Sequence, residues 1–333
     1  MSVTAKQIAQ QLNLSEAAVS MALNHKPGVS TQTRRRVLDT AKSLGYDFSR
    51  ISPSQTTPGS IRLIYYNKLD IFTMPFFQEV IRGVEETLES SGYRMMPQHI
   101  YAVDNVEEQL EQLSIQNSDG IILLGTQMTR EDFAPFAFSD RPVVLLDTYI
   151  NSGKADCVQI NNIEGARMAA DYLIKKCGCQ PGYLRSSYQM NNFEERADGF
   201  YKAIRQNGMS PSHSAVHYLG TSIDAAYADM MAVLDQKVPP APCYFADNDD
   251  LAMGAMKALK ERGYKIPDDI SFIGFDNTPF SSYVDPPLTT VNVPKYYMGQ
   301  LAAQRMLAVL KVPEFHPVKI EVSTDLIIRQ SVR

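Results

Sequence analysis

Residues 12–46, LNLSEAAVSMALNHKPGVSTQTRRRVLDTAKSLGY, decide how the front of this chain folds. Apolar residues recur at helical spacing from Ile8 up to Asn13, and again from Val19 onward. Asn13 suits the left-handed backbone of a tight turn, and Ser15 is placed to cap the free amides of the next helix. The pattern therefore predicts a helix, a short turn and a second helix.

A third helix is predicted from Thr31 to about Leu44. The run His-Lys-Pro-Gly at 25–28 breaks the second helix, Ser30 is placed to cap the third, and Val37 and Ala41 continue its apolar stripe. Three short helices around one small core form a helix-turn-helix unit, whose second helix enters the major groove of DNA. We therefore expect this all-helical head to bind double-stranded DNA.

The charge distribution agrees with that expectation. Residues 1–50 hold seven Lys or Arg against three Asp or Glu, which is about +4, whereas the whole chain carries −5 and the remainder therefore about −9. A basic head on an acidic body is expected where only the head meets a polyanion. The alternative for Arg34–Arg36 is an ordinary solvated helix face.

Two sets of head residues are candidates for contact with DNA. On the outer face of the second helix, the residues expected to meet base edges are Glu16, Ala17, Ser20 and Met21. At helix starts and turns, the residues expected to meet phosphates are Thr4, Ser15, Asn24, Ser30 and Thr33. For each hydroxyl in the second set, the alternative is a plain helix cap.

From Ile61 onward the sequence alternates between buried strands and amphipathic helices. The predicted strands are 61–66, 120–124, 143–146, 158–160, 182–184, 243–246 and 270–275, and the predicted helices are 76–91, 106–115, 164–176, 193–207 and 251–262. Some 270 residues of this alternation indicate two lobes with parallel sheets, and ligands of such sheets bind beyond the carboxyl ends of the strands. A cleft between the lobes is therefore expected.

Polar side chains follow these strands and should line the cleft. They are Tyr66, Asn67, residues 125–127, Asp147, Asn161, Asn162, residues 247–249, Asp276 and Asn277. Carboxylates accept hydrogen bonds from neighbouring hydroxyls, so the set suits a hydroxyl-rich ligand. The alternative is that each Asp or Asn only starts a turn.

The run VTAKQIAQQLNLSEAAVSMALNHKPGVSTQTRRRVLDTAKSLGY, residues 3–46, closely resembles the head of the lactose repressor and purine repressor family of bacterial transcription regulators. The resemblance implies a homodimer whose two heads bind a palindromic operator. It implies that Glu16, Ala17 and Met21 choose the operator sequence. It also implies that a large, two-lobed, periplasmic-binding-protein-like domain binds a small effector.

The resemblance extends over the body. Segments 74–77, 191–200, 245–254 and 273–277 resemble the parts of the family that face the effector. Segment 288–295 with Met298 and Gly299 resembles its dimer-helix approach, and segment 326–332 resembles its closing strand. With the strand-end residues and the aromatic candidates, the expected effector-binding set is Tyr66, Phe76, Phe77, Asp147, Asn162, Phe193, Arg196, Asn248, Asp249 and Asp276.

Two departures from the family pattern qualify these expectations. In the linker, Pro53 would interrupt the hinge helix that the family usually has, and Gln55 stands near the position of the leucine that this helix inserts into the minor groove. The DNA kink that the leucine produces is therefore not expected in its usual form. Ile51 is a candidate to replace the leucine as the inserted side chain. Several relatives place a Trp or Phe on the effector ring from the loop matching 219–223, but this chain has no Trp. Phe76, Phe77 or Phe193 would then stack on the ligand, which favours a sugar over a nucleobase.

Other classes of protein are disfavoured. The longest apolar runs are about five residues, short of the roughly 20 that cross a bilayer, and the N-terminus lacks a secretory signal, so a cytoplasmic protein is expected. The four cysteines form no C-x-x-C pair and are expected to be reduced. Because the histidines are scattered and hydrolase, zinc-protease and phosphate-loop motifs are lacking, no catalytic residue, metal site or cofactor is expected.

The sequence thus predicts an all-α helix-turn-helix head at 1–48, a hinge linker at 49–60 and an α/β two-lobed effector-binding and dimerisation domain at 61–333. The predicted function is a transcriptional regulator, a repressor by preference, controlled by a sugar. The alternative is a cytoplasmic sugar-binding sensor without working DNA binding.

Overall fold

A computed structural model describes residues 3–23, 29–46, 59–113, 118–139, 141–151, 155–311 and 316–333. The chain divides into a small unit, Met1–Pro58, and a large unit, Gly59–Arg333, called here the head and the body. Residues 49–58 of the predicted hinge, which include Ile51, Pro53 and Gln55, lie outside the described residues, whereas Gly59 and Ser60 already belong to the first strand of the body.

The head contains three short helices, as predicted. They are α1 (Ala5–Leu12), α2 (Glu16–Leu23) and α3 (Thr31–Ser43). Their shared core is small and fully buried, and it consists of Ile8, Ala9, Val19, Ala22, Leu23, Val37 and Ala41. Asn13 ends α1 in the left-handed conformation, with φ 54°, which turns the chain directly into α2.

The body contains the predicted strands and helices in their predicted order, together with further elements that were not predicted. In chain order its elements are β1 (Gly59–Asn67), α4 (Pro75–Ser90), β2 (Tyr93–Tyr101), α5 (Val106–Gln112), β3 (Gly120–Leu124), β4 (Val143–Leu146), β5 (Asp156–Ile160), α6 (Asn162–Cys177), β6 (Gly182–Ser186), α7 (Asn191–Gln206), β7 (Val216–Leu219), α8 (Ile223–Asp235), β8 (Cys243–Ala246), α9 (Asp249–Glu261), β9 (Ser271–Asp276), β10 (Thr289–Asn292), α10 (Lys295–Val309), β11 (Lys319–Val322) and β12 (Asp325–Ile327).

Among the described residues the strands form two six-stranded sheets, one for each lobe. The first-lobe sheet has the order β11-β5-β4-β3-β1-β2 and the second-lobe sheet the order β12-β10-β9-β8-β6-β7. All pairings are parallel except that of β10 with β12. Central strands such as β3 are buried along their whole length because helices cover both faces of a parallel sheet. The predicted α/β two-lobed fold class is confirmed.

Helix α10 returns the chain to the first lobe and packs against α4. A Cβ atom on Gly83 would lie 2.1 Å from the backbone oxygen of Tyr296, and one on Gly299 would lie 2.0 Å from that of Val80. The two backbones therefore approach closely only because both positions are glycine. This contact fixes α4, whose first turn carries Phe76 and Phe77.

Three sequence predictions were wrong in detail. The edge strands β2, β7 and β11 were not predicted, because an edge strand is only partly buried and β2 contains Pro97, which suits an edge and not a central strand. The closing strand predicted at 326–332 is limited to Asp325–Ile327. The helix predicted at 106–115 ends at Gln112.

No helix in the described ranges is long and apolar enough to cross a membrane. All four cysteines are unbridged thiols.

Candidate functional site

The first helix of the head begins with a reciprocal cap. The Thr4 hydroxyl accepts from the Gln7 backbone amide at 3.4 Å, and the Gln7 side-chain oxygen accepts from the Thr4 amide at 2.8 Å. Two amides that have no partner within the helix are satisfied in this way. Thr4 is thus a helix cap, and its contact with phosphate stays a prediction.

Helix α2 presents the predicted base-reading residues on its outer face. The Ser15 hydroxyl accepts from the Ala18 amide at 3.1 Å and so caps the helix start. Glu16, Ala17 and Ser20 are exposed and Met21 is half-buried. Since buried Val19, Ala22 and Leu23 anchor the opposite face, the exposed face is available for a partner. Asn24 lies outside the described residues.

Helix α3 also begins with a capped turn. The Ser30 hydroxyl accepts from the Thr33 amide at 3.1 Å, and the Ser30 and Thr33 hydroxyls lie 2.8 Å apart. Arg34 is half-buried, whereas Arg35 and Arg36 are exposed. The start of this helix therefore combines oriented backbone amides with positive side chains, which favours an anion such as a phosphate.

A cavity of about 150 Å³ lies between the two lobes of the body. A single water needs roughly 10–15 Å³ on this measure, so the cavity has room for a small organic molecule. Its lining residues follow the carboxyl ends of the strands: Leu69, Ile71, Met74, Pro75, Phe76, Phe77, Thr126, Gln127, Asp147, Tyr188, Met190, Asn192, Phe193, Arg196, Thr221, Ile223, Asn248, Asp250, Asp276, Thr278 and Phe280. This is the position at which parallel sheets bind ligands.

Seven of the ten predicted effector residues line the cavity. They are Phe76, Phe77, Asp147, Phe193, Arg196, Asn248 and Asp276. Their contact with an effector stays a prediction.

Three predicted effector residues do not line the cavity, which corrects the sequence interpretation. Tyr66 is buried in the core of the first lobe, where its hydroxyl donates to an oxygen of Asp132 at 2.8 Å. Asn162 is buried behind Arg196, and its side-chain oxygen accepts from Arg196 Nε at 3.0 Å. Asp249 is buried beneath the β9 loop, where it accepts from the Thr278 amide at 2.7 Å and from the Thr290 hydroxyl at 2.5 Å. The last two residues support the wall of the cavity.

Arg196 is the central cation of the site. It is 3% exposed, and its guanidinium lies over the Phe275 ring, with Cζ 3.8 Å from the ring centroid. Besides Asn162, it donates to the Asp247 backbone oxygen and to Asp276 Oδ1, the latter at 3.2 Å. These three acceptors therefore fix the position of the guanidinium in the wall of the cavity.

Asp276 ends β9 in an unusual backbone conformation, with φ 106°. Burial raises the pKa of its carboxyl above the ordinary value, while the charges of Arg196 and Lys295 oppose that shift. The Lys295 ammonium donates to the backbone oxygens of Asp276 and Asn277, at 2.5 and 3.2 Å. Two cations thus hold the strand end that presents the Asp276 carboxylate.

Asp147 joins the two lobes. It is 1% exposed, accepts from the Thr126 hydroxyl at 2.7 Å, and accepts from the side-chain amide of Asn192 at 3.2 Å. Asp147 follows β4 of the first lobe and Asn192 lies in the first turn of α7 in the second, so the bond between them crosses the cleft, whereas Thr126 belongs to the first lobe. Burial raises the pKa of Asp147 to about 7.

The raised pKa of Asp147 gives a stability prediction. An unfolded Asp has a pKa of about 3.9, so the folded body binds more protons between about pH 4 and 7 and loses stability as the pH rises through that range. Asp147→Asn removes this contribution and suits the backbone at 147, where φ is 61°. We expect the variant to melt about 2 °C or more above the native chain at pH 8 and to converge with it near pH 4.

Thermal melts across this pH range check the prediction. Asp235→Asn is the matched control, because Asp235 is exposed in a surface ion pair with Arg262. If the melting temperatures of Asp147→Asn and the native chain differ by the same amount at every pH, the buried charge of Asp147 does not lower the stability of the body.

Several lining residues were not singled out from the sequence. Asn192 and Asp250 lie in segments 191–200 and 245–254, which were expected to face the effector, but neither residue was named as a ligand contact. Gln127 and Thr126 were expected only as polar strand-end residues. The apolar lining residues could not be recognised from the sequence, because the wall of a cavity and the core of a protein are built from the same apolar side chains. In the described part of the chain, no cluster of His, Cys, Asp and Glu is suited to hold a metal ion.

Comparison with known proteins adds to this geometry. Residues 170–332 match a family model for a periplasmic binding protein-like domain. The chain is 28% identical over 334 residues to a probable HTH-type transcriptional repressor, ExuR, of Bacillus subtilis (strain 168), in an alignment covering 99% of this chain and 98% of that relative.

Two solved structures have a fold similar to that of this chain. The complex of the transcriptional regulator CelR with cellobiose has a TM-score of 0.72 and 25% identity, with 99% of each chain covered. A LacI family transcriptional regulator from Enterococcus faecium with bound ribose has a TM-score of 0.71 and 26% identity, over 82% of this chain and 98% of that one. The similarity to CelR thus includes the head as well as the body.

Proposed function

We propose that the chain is a sequence-specific DNA-binding regulator of the lactose repressor and purine repressor family, a repressor by preference, controlled by a small effector. The observation that carries the proposal is a capped helix-turn-helix whose second helix has an anchored inner face and an exposed outer face. That arrangement is what entry of a helix into the major groove requires.

The proposed DNA contacts divide by role. Glu16, Ala17, Ser20 and Met21 read base edges from the exposed face of α2. The remaining candidates, which position the head on phosphates, are Thr4, Ser15, Asn24, Ser30 and Thr33. A homodimer places two such heads on a palindromic operator, with half-site centres about one DNA turn or a multiple apart.

The proposed effector is a sugar bound between the lobes. Cellobiose and ribose are bound in the two similar structures, and the cavity here combines carboxylates, amides and aromatic side chains, which suit hydroxyls and the faces of a sugar ring. An effector that contacts both lobes binds more tightly to one arrangement of the lobes than to another. Effector binding therefore favours that arrangement and changes the affinity of the dimer for DNA. A binding protein of this kind performs no catalysis, and it acts beside the chromosome in the cytoplasm.

Selection of bound sequences from a random DNA duplex pool at moderate salt tests the proposal. We expect the full chain to enrich a palindrome. Failure to enrich any sequence, with or without sugars, together with no salt-dependent retention on DNA, would reject the regulator and support the alternative, a sugar-binding sensor without working DNA binding.

The base-reading role makes a separate prediction. Glu16→Gln and Met21→Ala are expected to change the preferred base pair at one or two positions of each half-site, by about 1–3 kcal/mol at each position. Thr33→Ala, a loss of a predicted phosphate contact, should instead weaken binding to all sequences alike. Selections repeated with each variant make the comparison. A uniform loss for the Glu16 and Met21 variants would assign these residues to the phosphate backbone.

A further inference from the structure

The charged side chains that line the cavity do not balance. Asp147, Asp250 and Asp276 face a single guanidinium, that of Arg196, which leaves a formal charge of −2. Arg196 already donates to Asn162, the Asp247 backbone oxygen and Asp276. Lys295 is not a lining residue, and its ammonium donates to backbone oxygens. The pKa of Asp147 is about 7, so this carboxyl is partly protonated near neutral pH, but the wall of the cavity still carries excess negative charge.

With Asp276 paired to Arg196, the excess lies on Asp147 and Asp250; Asp147 accepts from Thr126 and Asn192, so the carboxylate without a protein donor is Asp250. Its neighbour Asp249 accepts from Thr278 and Thr290, but no described residue donates a hydrogen bond to Asp250 or forms an ion pair with it. Burial, followed by the charge of Asp276, raises the pKa of Asp250 to about 6. A half-buried carboxylate without a protein donor is stabilised by a ligand that supplies one, and most by a ligand that is positively charged.

Gln127 points independently to a ligand. It is 4% exposed, and its side-chain oxygen accepts from the backbone amides of Lys68 and Leu69 at 2.8 and 3.1 Å. Its Nε2 is buried and has no hydrogen-bond partner among the described residues, although Gln127 lines the cavity. A buried amide donor of this kind requires an acceptor, and a ligand hydroxyl supplies one.

The two groups belong to opposite lobes. Gln127 follows β3 of the first lobe, and Asp250 lies in α9 of the second. Aromatic rings complete the wall, namely Phe76, Phe77, Phe193, Phe280 and Tyr188. Aromatic faces bind both sugar rings and cations.

We infer that the effector is an amino sugar, whose ammonium is bound by Asp250 and Asp276 and whose hydroxyls are bound by Gln127 and Asp147. This inference rests on the proposed function and adds the chemical class of the ligand. Uronic acids are disfavoured because their carboxylate meets the three acidic side chains of the wall. Neutral sugars satisfy Gln127 but leave the excess charge uncompensated.

Matched pairs of sugars test the inference on the full chain. The probes are D-glucose with D-glucosamine, D-galactose with D-galactosamine, and D-mannose with D-mannosamine, titrated calorimetrically at a pH where the amine is protonated. We expect at least one amino sugar to bind tenfold or more tightly than its hydroxyl partner. Asp250→Asn should remove most of that preference, so that the amino sugar and its neutral partner bind within about threefold of each other. Asp235→Asn, at an exposed ion pair, is the charge-matched control and should change neither affinity.

The other outcomes overturn the inference. Equal or tighter binding of the neutral partner shows that the effector is an uncharged sugar, and a preference that persists in Asp250→Asn removes Asp250 from the site. Binding of no amino sugar at all also rejects it. None of these results bears on the regulator proposal, which the duplex selection tests separately.

Discussion

Arg196→Ala is expected to lower the free energy of unfolding of the body by about 3–5 kcal/mol, the range for breaking a buried ion pair by removing one partner. The substitution deletes the cation that faces Asp276 and the donors to Asn162 and the Asp247 backbone oxygen. It also uncovers the Phe275 ring, on which the guanidinium lies. Urea unfolding of the full chain, followed by the body's far-UV signal, measures the loss.

The control is Arg82→Ala. Arg82 forms an ion pair with Glu79 at 2.6 Å, but both side chains are about half exposed, so its removal should cost under about 1 kcal/mol. Combining Arg196→Ala with Asp276→Ala should destabilise less than the two separate losses added together, because the second change removes the carboxylate left without a partner. A loss for Arg196→Ala no greater than that of the control would contradict the central role of this residue.

Asp276→Ala is expected to abolish the response to the effector while operator binding is retained. Removing one partner of a buried, hydrogen-bonded charge pair in a binding site costs about 2–5 kcal/mol, which is roughly 30-fold or more in effector affinity. The body should lose less stability than in Arg196→Ala, since Arg196 keeps Asn162 and the Asp247 backbone oxygen as acceptors. Calorimetry with the tightest-binding sugar, and operator retention with and without it, measure both effects.

A second variant separates the loss of charge from a change of backbone. At φ 106° an alanine is strained, whereas asparagine tolerates positive φ more readily. Asp276→Asn should therefore reproduce the weakened effector binding with a smaller loss of stability than Asp276→Ala, because it breaks the same ion pair with Arg196 but adds no backbone strain. Unchanged effector affinity in both variants would remove Asp276 from the binding site.

Local patterns predicted the head well. Asn13 is in the left-handed conformation, Ser15 and Ser30 cap their helices, and the buried stripe contains Val37 and Ala41. Each of these features depends on residues within one or two helical turns, so the sequence contains the information that specifies it. The central strands were predictable for a similar reason, because a strand buried on both faces is a continuous apolar run.

The sequence by itself thus determined the helix-turn-helix head, the alternation of strands and helices, and the location of the cavity at the strand ends. Only the tertiary structure decided which strand-end side chains face that cavity. Asp249 and Asp250 are adjacent in sequence, yet one supports the β9 loop and the other lines the cavity, because successive helical residues point about 100° apart. Asn192 meets Asp147 across the cleft only after both lobes have formed, since the two residues are 45 positions apart.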